Sequence, residues 1–147
     1  MSQPRVAIGI ISADLAAARH FYVDLLGFEP AGGFAIDEAF GRRSGLSAGA
    51  PFSVTLVQPR GGDGSFQLKL VEFAAPPATP RDEVVQARLG MQYLTLIVDD
   101  FDAILARLTA DGVETLGETP LALGDGRGFA LVQDPSGTFV ELIARRP

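Results

Sequence analysis

The fold of this chain is decided by the stretch Gln133–Leu142, which reads QDPSGTFVEL. The sequence Asp134-Pro135-Ser136-Gly137 is typical of a tight turn. Proline fixes φ at the second position, Asp and Ser side chains accept hydrogen bonds from nearby backbone N–H groups, and Gly adopts whatever backbone conformation the fourth position requires. Strand-like runs at 129–133 and 138–144 flank the turn, so the stretch predicts a β-hairpin. The second strand carries a single acid, Glu141. A carboxylate inside an apolar strand is costly unless it is paired or bound to a cation, so a partner is expected for it.

Composition narrows the class of protein. With 147 residues, 47% hydrophobic and 20% charged, the chain is long and apolar enough for one compact domain or two small modules sharing a core. A formal net charge of −6 without a basic run argues against a nucleic-acid partner. There is no signal-peptide-like start and no apolar run of the roughly 20 residues that span a membrane, so a soluble, cytoplasmic protein is expected. The absence of cysteine excludes thiolate zinc sites, and the single histidine, His20, excludes any site that needs two.

Hydrophobic periodicity predicts the elements of the first half of the chain. They are a strand at 6–12, a helix capped by Asp14 and ended by Gly27, a strand at 28–31, a short helix within 36–46, and strands at 52–58 and 65–73. The segment Ile36–Ala50 is interpreted as an insertion. Its Arg42 and Arg43 suggest either a cationic lid or a solvated loop.

The second half repeats this plan. It predicts a strand at 93–98, a helix capped by Asp99-Asp100 and ended by Asp111-Gly112, a strand at 113–117, a glycine-bearing loop at 121–127, and the hairpin. A βαβββ unit therefore occurs twice, at 1–75 and 91–147, joined by a proline-containing linker at 76–90. The predicted fold class is α+β.

Several motifs together carry a resemblance to a known family. They are Asp14-Leu15, Phe21-Tyr22, Leu25-Leu26-Gly27-Phe28, Val98-Asp99-Asp100, Ala110-Asp111-Gly112-Val113, Asp134-Pro135-Ser136-Gly137 and Glu141-Leu142. In this combination the chain resembles the vicinal oxygen chelate superfamily, the group of glyoxalases, bleomycin-resistance proteins and extradiol dioxygenases, over about residues 5–144. The resemblance implies two βαβββ modules whose curled mixed sheets form a cup around a small-molecule site, but it does not define the reaction.

The resemblance also implies a divalent metal held by His and Glu side chains from the first and last strand of each module. The corresponding positions here hold Ala7, Lys69, Tyr93 and Glu141, so one usual ligand of four is present. Since a divalent metal needs three or more suitable ligands, no divalent metal or other cofactor is expected. His20 lies on the first helix and is expected at the surface.

Lys69 occupies a position at which the resemblance implies a metal ligand, which suggests that its ammonium takes the place of the metal ion. Strand alternation places Gln67, Lys69 and Val71 on one face of their strand, and the resemblance turns that face toward the cup. Lys69, Tyr93 and Glu141 are therefore the candidate catalytic residues of a metal-free polar centre. Two other interpretations stand beside this one: a structural Lys–Glu salt bridge, or a lysine that extends into solvent. The candidate ligand-binding residues are Ala7, Gln67, Lys69, Tyr93, Arg127, Phe129 and Glu141.

Three classes of function are compatible with these residues. The first is a small-molecule binding protein with a degenerate metal site. The second is an enzyme, either a lyase or isomerase using Lys69, Tyr93 and Glu141, or a dioxygenase-type member with an atypical metal site. A glutathione-linked glyoxalase I of the usual kind is disfavoured by the missing ligands. The third is a non-binding dimeric scaffold. A homodimer is expected by analogy with related proteins.

Overall fold

The first part of the chain forms a mixed four-stranded sheet with a helix on one face. The computed structural model describes residues 2–147, and residues up to Thr79 make up one compact unit. Its elements are β1 (Val6–Ile11), α1 (Leu15–Arg19), β2 (Phe28–Ile36), α2 (Glu38–Ser44), β3 (Phe52–Pro59) and β4 (Phe66–Phe73). The strand order is β1-β4-β3-β2, with β1 parallel to β4 and the other neighbours antiparallel.

Helix α1 begins and ends as its sequence predicts. The Asp14 carboxylate accepts a hydrogen bond from the Ala17 N–H at 3.1 Å, which satisfies one of the free donors of the first turn. The helix continues as a π-helical segment, His20–Leu25, and Gly27 ends it at a φ of +84°. Phe21, Tyr22 and Leu25 are buried there, and α1 lies against β4, where Leu68 and Leu70 are fully buried.

Strand β2 is longer than the predicted strand at 28–31. Gly32-Gly33 has the local signature of a turn, yet the backbone continues to Ile36 with a bulge between Pro30 and Gly33. Pairing with β3 outweighs the local signal. The predicted helix within 36–46 is confirmed as α2, and the Asp37 side chain caps it through the Phe40 N–H at 2.7 Å.

The second unit, Pro80–Pro147, repeats this topology. Its elements are a 3₁₀ turn (Val85–Ala87), β5 (Tyr93–Val98), α3 (Phe101–Ala110), β6 (Leu121–Ala122), β7 (Gly128–Gln133) and β8 (Phe139–Ala144). The strand order is β5-β8-β7-β6, and β5 runs parallel to β8. The fold is therefore α+β with two repeated βαβββ modules, as predicted.

Two details of the second unit differ from the prediction. The predicted strand at 113–117 does not form, and the fourth strand is instead the two-residue β6, which pairs with the start of β7. The Leu116 N–H does reach the Leu131 carbonyl, but this contact starts no ladder. The second difference concerns the predicted capping of α3 by Asp99-Asp100. Asp100 is the N-cap residue, but its side chain makes no capping hydrogen bond and lies 3.6 Å from the Arg107 guanidinium. The Asp99 carboxylate binds the Arg145 guanidinium at 2.6 Å.

The predicted hairpin forms between β7 and β8. Asp134 is 1% exposed, and one of its carboxylate oxygens accepts hydrogen bonds from the N–H groups of Ser136 and Thr138, both at 2.9 Å. Gly137 has a φ of +94°, a backbone conformation that residues with a side chain rarely adopt. The turn is therefore held by its own residues, as its sequence predicts.

Each sheet has two different faces. Leu68 and Leu70 of β4, and Val140 and Leu142 of β8, point toward the helix of their own unit and are fully buried. We call the opposite side of each sheet its far face. In the described part of the chain no helix is both long and apolar enough to cross a membrane.

Candidate functional site

The candidate residues fall into two sets, one in each unit. Ala7, Gln67 and Lys69 belong to the first sheet. Tyr93, Phe129 and Glu141 belong to the second, and Arg127 comes just before β7. Because side chains alternate along a strand, all the candidates that lie on strands point to the far face of their own sheet.

Lys69 is placed on the far face by the register of three strands. It lies opposite Gly9 on β1 and opposite Leu56 on β3, and it is partly buried. Its Nζ atom is 5.8 Å from the centroid of the Phe34 ring, which is within range of a cation–π interaction. No carboxylate and no hydrogen-bond acceptor in residues 2–147 binds this ammonium. Within residues 2–79 of its own unit, Lys69 therefore forms no structural salt bridge.

Lys69 is also the only lysine of the protein; the other eleven basic residues are arginines. An ammonium is a compact charge that donates three hydrogen bonds in any direction, whereas guanidinium presents a planar fork. The only lysine side chain of the protein thus lies on a sheet face and is partly buried.

A row of polar side chains crosses the first sheet next to Lys69. The Gln67 side-chain amide donates to the Gln58 side-chain oxygen at 3.2 Å, and the Gln58 amide donates to Glu29 at 3.1 Å. Glu29 also accepts the Gly61 N–H at 3.2 Å. Ala7 stands opposite Gln67, so on β1 it is Gly9 and not Ala7 that adjoins Lys69. Sequence analysis identified Gln67 but missed Glu29 and Gln58, since their alignment depends on pairing between distant strands.

Glu141 has a comparable position on the far face of the second sheet. It lies opposite Thr95 on β5 and Leu131 on β7, and it accepts the Thr95 hydroxyl at 3.1 Å. No cationic side chain in the part of the chain that the structure describes binds this carboxylate. Tyr93 is two residues before Thr95 on β5, on the same face, and lies opposite Phe139. It is 51% exposed. On the second sheet Thr95 is a polar neighbour that was not predicted, although the periodicity of β5 could have indicated it.

Arg127 is occupied by a neighbouring carboxylate. Its guanidinium donates to Asp125 at 2.8 Å, and its backbone N–H donates to the other oxygen of Asp125 at 3.1 Å. This backbone hydrogen bond is the main cause that lowers the pKa of Asp125 below its ordinary value. Phe129 pairs with Ile143 on the same face as Glu141. Arg127 thus holds the loop before β7, while Phe129 contributes an aromatic ring to the far face.

The donor set does not match the metal that the resemblance implies. Residues 2–147 contain no group of three or more His, Cys, Asp or Glu side chains that could hold a metal ion. Of the four positions considered, only Glu141 offers a usual ligand, because alanine cannot coordinate and a charged lysine has no free lone pair. No chemical step through a metal is derived for this chain.

Two repeated βαβββ modules with mixed sheets define a class of small α+β proteins built by duplication. A family model described as the Glyoxalase/Bleomycin resistance protein/Dioxygenase superfamily matches residues 5–142. The chain belongs to this superfamily, which confirms the resemblance stated from the motifs.

Individual relatives are more distant. The chain is 29% identical to the uncharacterized protein YaeR of Escherichia coli (strain K12) over 138 residues, or 92% of this chain and 91% of that one. A crystal structure of a glyoxalase family protein from Bacillus cereus is similar with a TM-score of 0.70 at 23% identity, covering 97% of this chain and 92% of the other. TnmS3, an antibiotic binding protein from Streptomyces sp. CB03234, is similar with a TM-score of 0.63 at 24% identity, covering 99% and 98%. At these identities the structural matches establish the fold alone.

Proposed function

We propose that this protein binds a small organic molecule on the far faces of its sheets and that it does so without a divalent metal. The observation that carries the proposal is Lys69. The Lys69 side chain is partly buried, its ammonium lies near an aromatic ring, and no anion among residues 2–79 of its own unit binds it. An ammonium beside an apolar ring is able to bind an anionic or hydrogen-bonding group of a ligand.

The apolar surroundings support the same proposal. On the first sheet Ile11 is 48% exposed and Phe34 is 46% exposed; on the second, Tyr93 and Ile97 are both 51% exposed. Large apolar side chains with a few placed polar groups are the usual lining of small-molecule sites. The far faces thus combine apolar contact area with one charged group each.

One structural neighbour supports a binding function. TnmS3 shares this fold and is an antibiotic binding protein by its description, so the fold is compatible with a role in binding alone. The donor set of the described residues, which offers no three-ligand group, supports binding without a divalent metal.

The proposal is tested by using the single lysine as a reporter. Reductive methylation with ¹³C-formaldehyde labels Lys69 and the N-terminus and keeps the charge of both, so one lysine signal reports on the site. A panel of small aromatic and aliphatic acids, alcohols and amines is added, with and without a chelator, and metal content is measured by elemental analysis. We expect concentration-dependent shifts of the Lys69 signal that the chelator leaves unchanged. Stoichiometric metal, or shifts that the chelator abolishes, would overturn the metal-free proposal.

A matched pair of variants separates the site from net charge. Lys69→Met removes the ammonium but keeps an unbranched apolar chain, and Arg60→Met removes one positive charge from an exposed turn. We expect only the first to weaken binding. Equal weakening by both would indicate a nonspecific effect of charge.

A second candidate is a metal-free lyase or isomerase. It is favoured by Glu141, a partly buried carboxylate that accepts a hydrogen bond from Thr95 and binds no cation in the described chain. Such a group is able to accept a proton from a bound molecule. New product signals in NMR spectra of the panel compounds, lost in Glu141→Gln, would favour this candidate; unchanged spectra favour binding alone.

A further inference from the structure

The surroundings of Glu141 restrict the chemistry of the ligand on the second sheet. We infer that the far face of this sheet binds an amine, with the ammonium between the Glu141 carboxylate and the Thr95 hydroxyl and an apolar body on the exposed side chains of β5. This inference rests on the proposed function and adds the chemical class of the ligand at this sheet.

The hydrogen bonding of Glu141 determines the group that binds. The Thr95 hydroxyl donates to Oε1 of Glu141 at 3.1 Å, and within residues 80–147 no donor binds Oε2. Because the hydroxyl gives its hydrogen to Glu141, its oxygen is able to accept a hydrogen bond from another group. An ammonium that donates to Oε2 and to the Thr95 oxygen therefore satisfies both acceptors, and its bond to the carboxylate is charge-assisted.

The cations of the second unit that lie near this face are already bound to other groups. Glu141 lies between Thr95 and Leu131, and the residues two positions away on its own strand are Phe139 and Ile143, so its close neighbours are uncharged. Three arginines lie beyond the ends of β7 and β8, and each has its own acceptor: Arg127 binds Asp125 at 2.8 Å, Arg145 binds Asp99 at 2.6 Å, and Arg81 binds the Asp134 carbonyl at 3.1 Å. A cationic ligand therefore meets no competing ionic partner of Glu141 within residues 80–147.

The charge of the second unit favours a cation over an anion. Residues 80–147 contain eleven acidic side chains and six arginines, so this unit carries a formal net charge of −5 out of the −6 of the whole chain. Such a charge attracts cations from a distance and repels anions. An amine therefore fits this face better than a carboxylate or a phosphate does.

Strand β5 provides the contact area for the body of the ligand. It is an edge strand, and Tyr93 and Ile97 flank Thr95 on the same face, each with 51% of its surface exposed. A body attached to an ammonium at Thr95 is thus next to an exposed apolar side chain in either direction along the strand. The Tyr93 ring is also able to stabilise the ammonium by a cation–π interaction.

Three variants test the placement of the ammonium. Glu141→Gln removes the charge and keeps the shape of the side chain, while Glu118→Gln removes one negative charge from an exposed loop of the same unit and is its matched control. Thr95→Lys places an ammonium of the protein directly opposite Glu141, where cross-strand pairs of opposite charge interact. This lysine should exclude the amine although Glu141 is still present. Amide spectra of all three variants establish that they are folded.

The probes are phenethylamine, phenethyl alcohol and phenylacetate, which carry a positive, zero and negative charge on similar bodies at neutral pH. Each is titrated to about 10 mM, above the roughly millimolar Kd expected for ligands of this size. Backbone amide shifts of Thr95, Leu131 and Glu141 locate the binding. We expect phenethylamine to bind most tightly, with its affinity lowered at least about fivefold in Glu141→Gln and Thr95→Lys and by less than about twofold in Glu118→Gln.

The outcomes distinguish the ligand class from the proposed function. If phenethyl alcohol or phenylacetate binds this face as tightly as phenethylamine, or if Glu141→Gln binds phenethylamine as well as Glu118→Gln does, the inferred ligand class is wrong while small-molecule binding stands. Unchanged affinity in Thr95→Lys also overturns it, because the new ammonium and the ligand compete for one carboxylate. If none of the probes or panel compounds shifts any far-face amide of either sheet, the proposed function fails as well.

Discussion

Replacement of Gly33 by alanine tests how the sheet positions Phe34 beside Lys69. Gly33 lies in the bulged part of β2, and a Cβ atom there would be 2.5 Å from the Val54 carbonyl oxygen. Because ordinary contact begins near 3.4 Å, β2 and β3 would have to separate by about 0.9 Å at this point. The clashing atom belongs to the backbone of a central strand, which cannot turn aside as a side chain could.

The expected cost follows from this geometry. Overpacking of a well-packed site costs roughly 1–3 kcal/mol, and we expect Gly33→Ala to lower the free energy of unfolding by that amount. Gly9→Ala is the matched control, since it makes the same change in the same sheet where a Cβ meets nothing within 4 Å. There the smaller entropy of the unfolded chain should stabilise the protein by about 0.4–1 kcal/mol.

Urea denaturation followed by circular dichroism measures both effects. With a denaturant slope of about 2 kcal/mol per molar, the midpoint of Gly33→Ala should fall by roughly 0.5–1.5 M, while that of Gly9→Ala should hold or rise. The Lys69 methyl signal should also move in Gly33→Ala, because Phe34 follows directly in β2. A Gly33→Ala protein as stable as Gly9→Ala, with an unmoved Lys69 signal, would refute the close approach of these strands and its role in placing Phe34.

Three further predictions concern buried and titrating groups. Ser12 is fully buried and its hydroxyl has no hydrogen-bond partner within residues 2–147, so Ser12→Ala should leave stability unchanged or raise it by about 1 kcal/mol in urea denaturation; a clear loss would reveal a partner. Asp134→Ala removes the acceptor of two turn N–H groups and should cost about 1–3 kcal/mol, whereas Asp134→Asn keeps an acceptor oxygen and should cost less; equal losses would contradict this role. The pKa of Asp125 is lowered from its ordinary value of 3.8, mainly by the hydrogen bond from the Arg127 backbone N–H. The ionised carboxylate therefore stabilises the loop before β7 at pH values above 3.8, and this stabilisation is lost as the pH falls through the lower pKa of the folded protein. A ¹³C NMR titration should give a pKa below 3.8 for Asp125 in the native protein and in Arg127→Lys, and a value at or above 3.8 would contradict the contact.

The site residues show where prediction from sequence succeeds and where it stops. Alternation along β4 correctly separates Lys69 from the buried Leu68 and Leu70, because the period of a strand is a local property. The residue opposite Lys69 on β1 cannot be predicted in this way, because it depends on the pairing of β1 with β4, which are separated by about sixty residues of chain. The sequence suggested Ala7 as the first-strand member of the site; the register places Ala7 opposite Gln67 and Gly9 opposite Lys69.

Local signals also misjudge elements that pairing controls. The predicted strand ended at residue 31, before Gly32-Gly33, and another strand was predicted at 113–117. In the structure β2 continues through the glycines, and the fourth strand of the second sheet forms at Leu121–Ala122. In both places the hydrogen bonds offered by a neighbouring strand decide the outcome, and these are invisible in a short window of sequence. Both elements are edge strands, each paired on one side only.

By itself, the sequence determined the repeated βαβββ plan, the superfamily, the capping of α1 by Asp14 and the hairpin around Asp134. All of these depend on residues within a few positions of one another, whose turn, cap and periodicity chemistry is nearly independent of the rest of the chain. Only the tertiary structure decided that Lys69 lies opposite Gly9 and Leu56 and near Phe34, that Thr95 binds Glu141, and that neither charge has an ionic partner among the described residues of its own unit. The physical reason is that strand register is set by packing and hydrogen bonds between distant segments, and a shift of one residue would exchange the two faces of the strand.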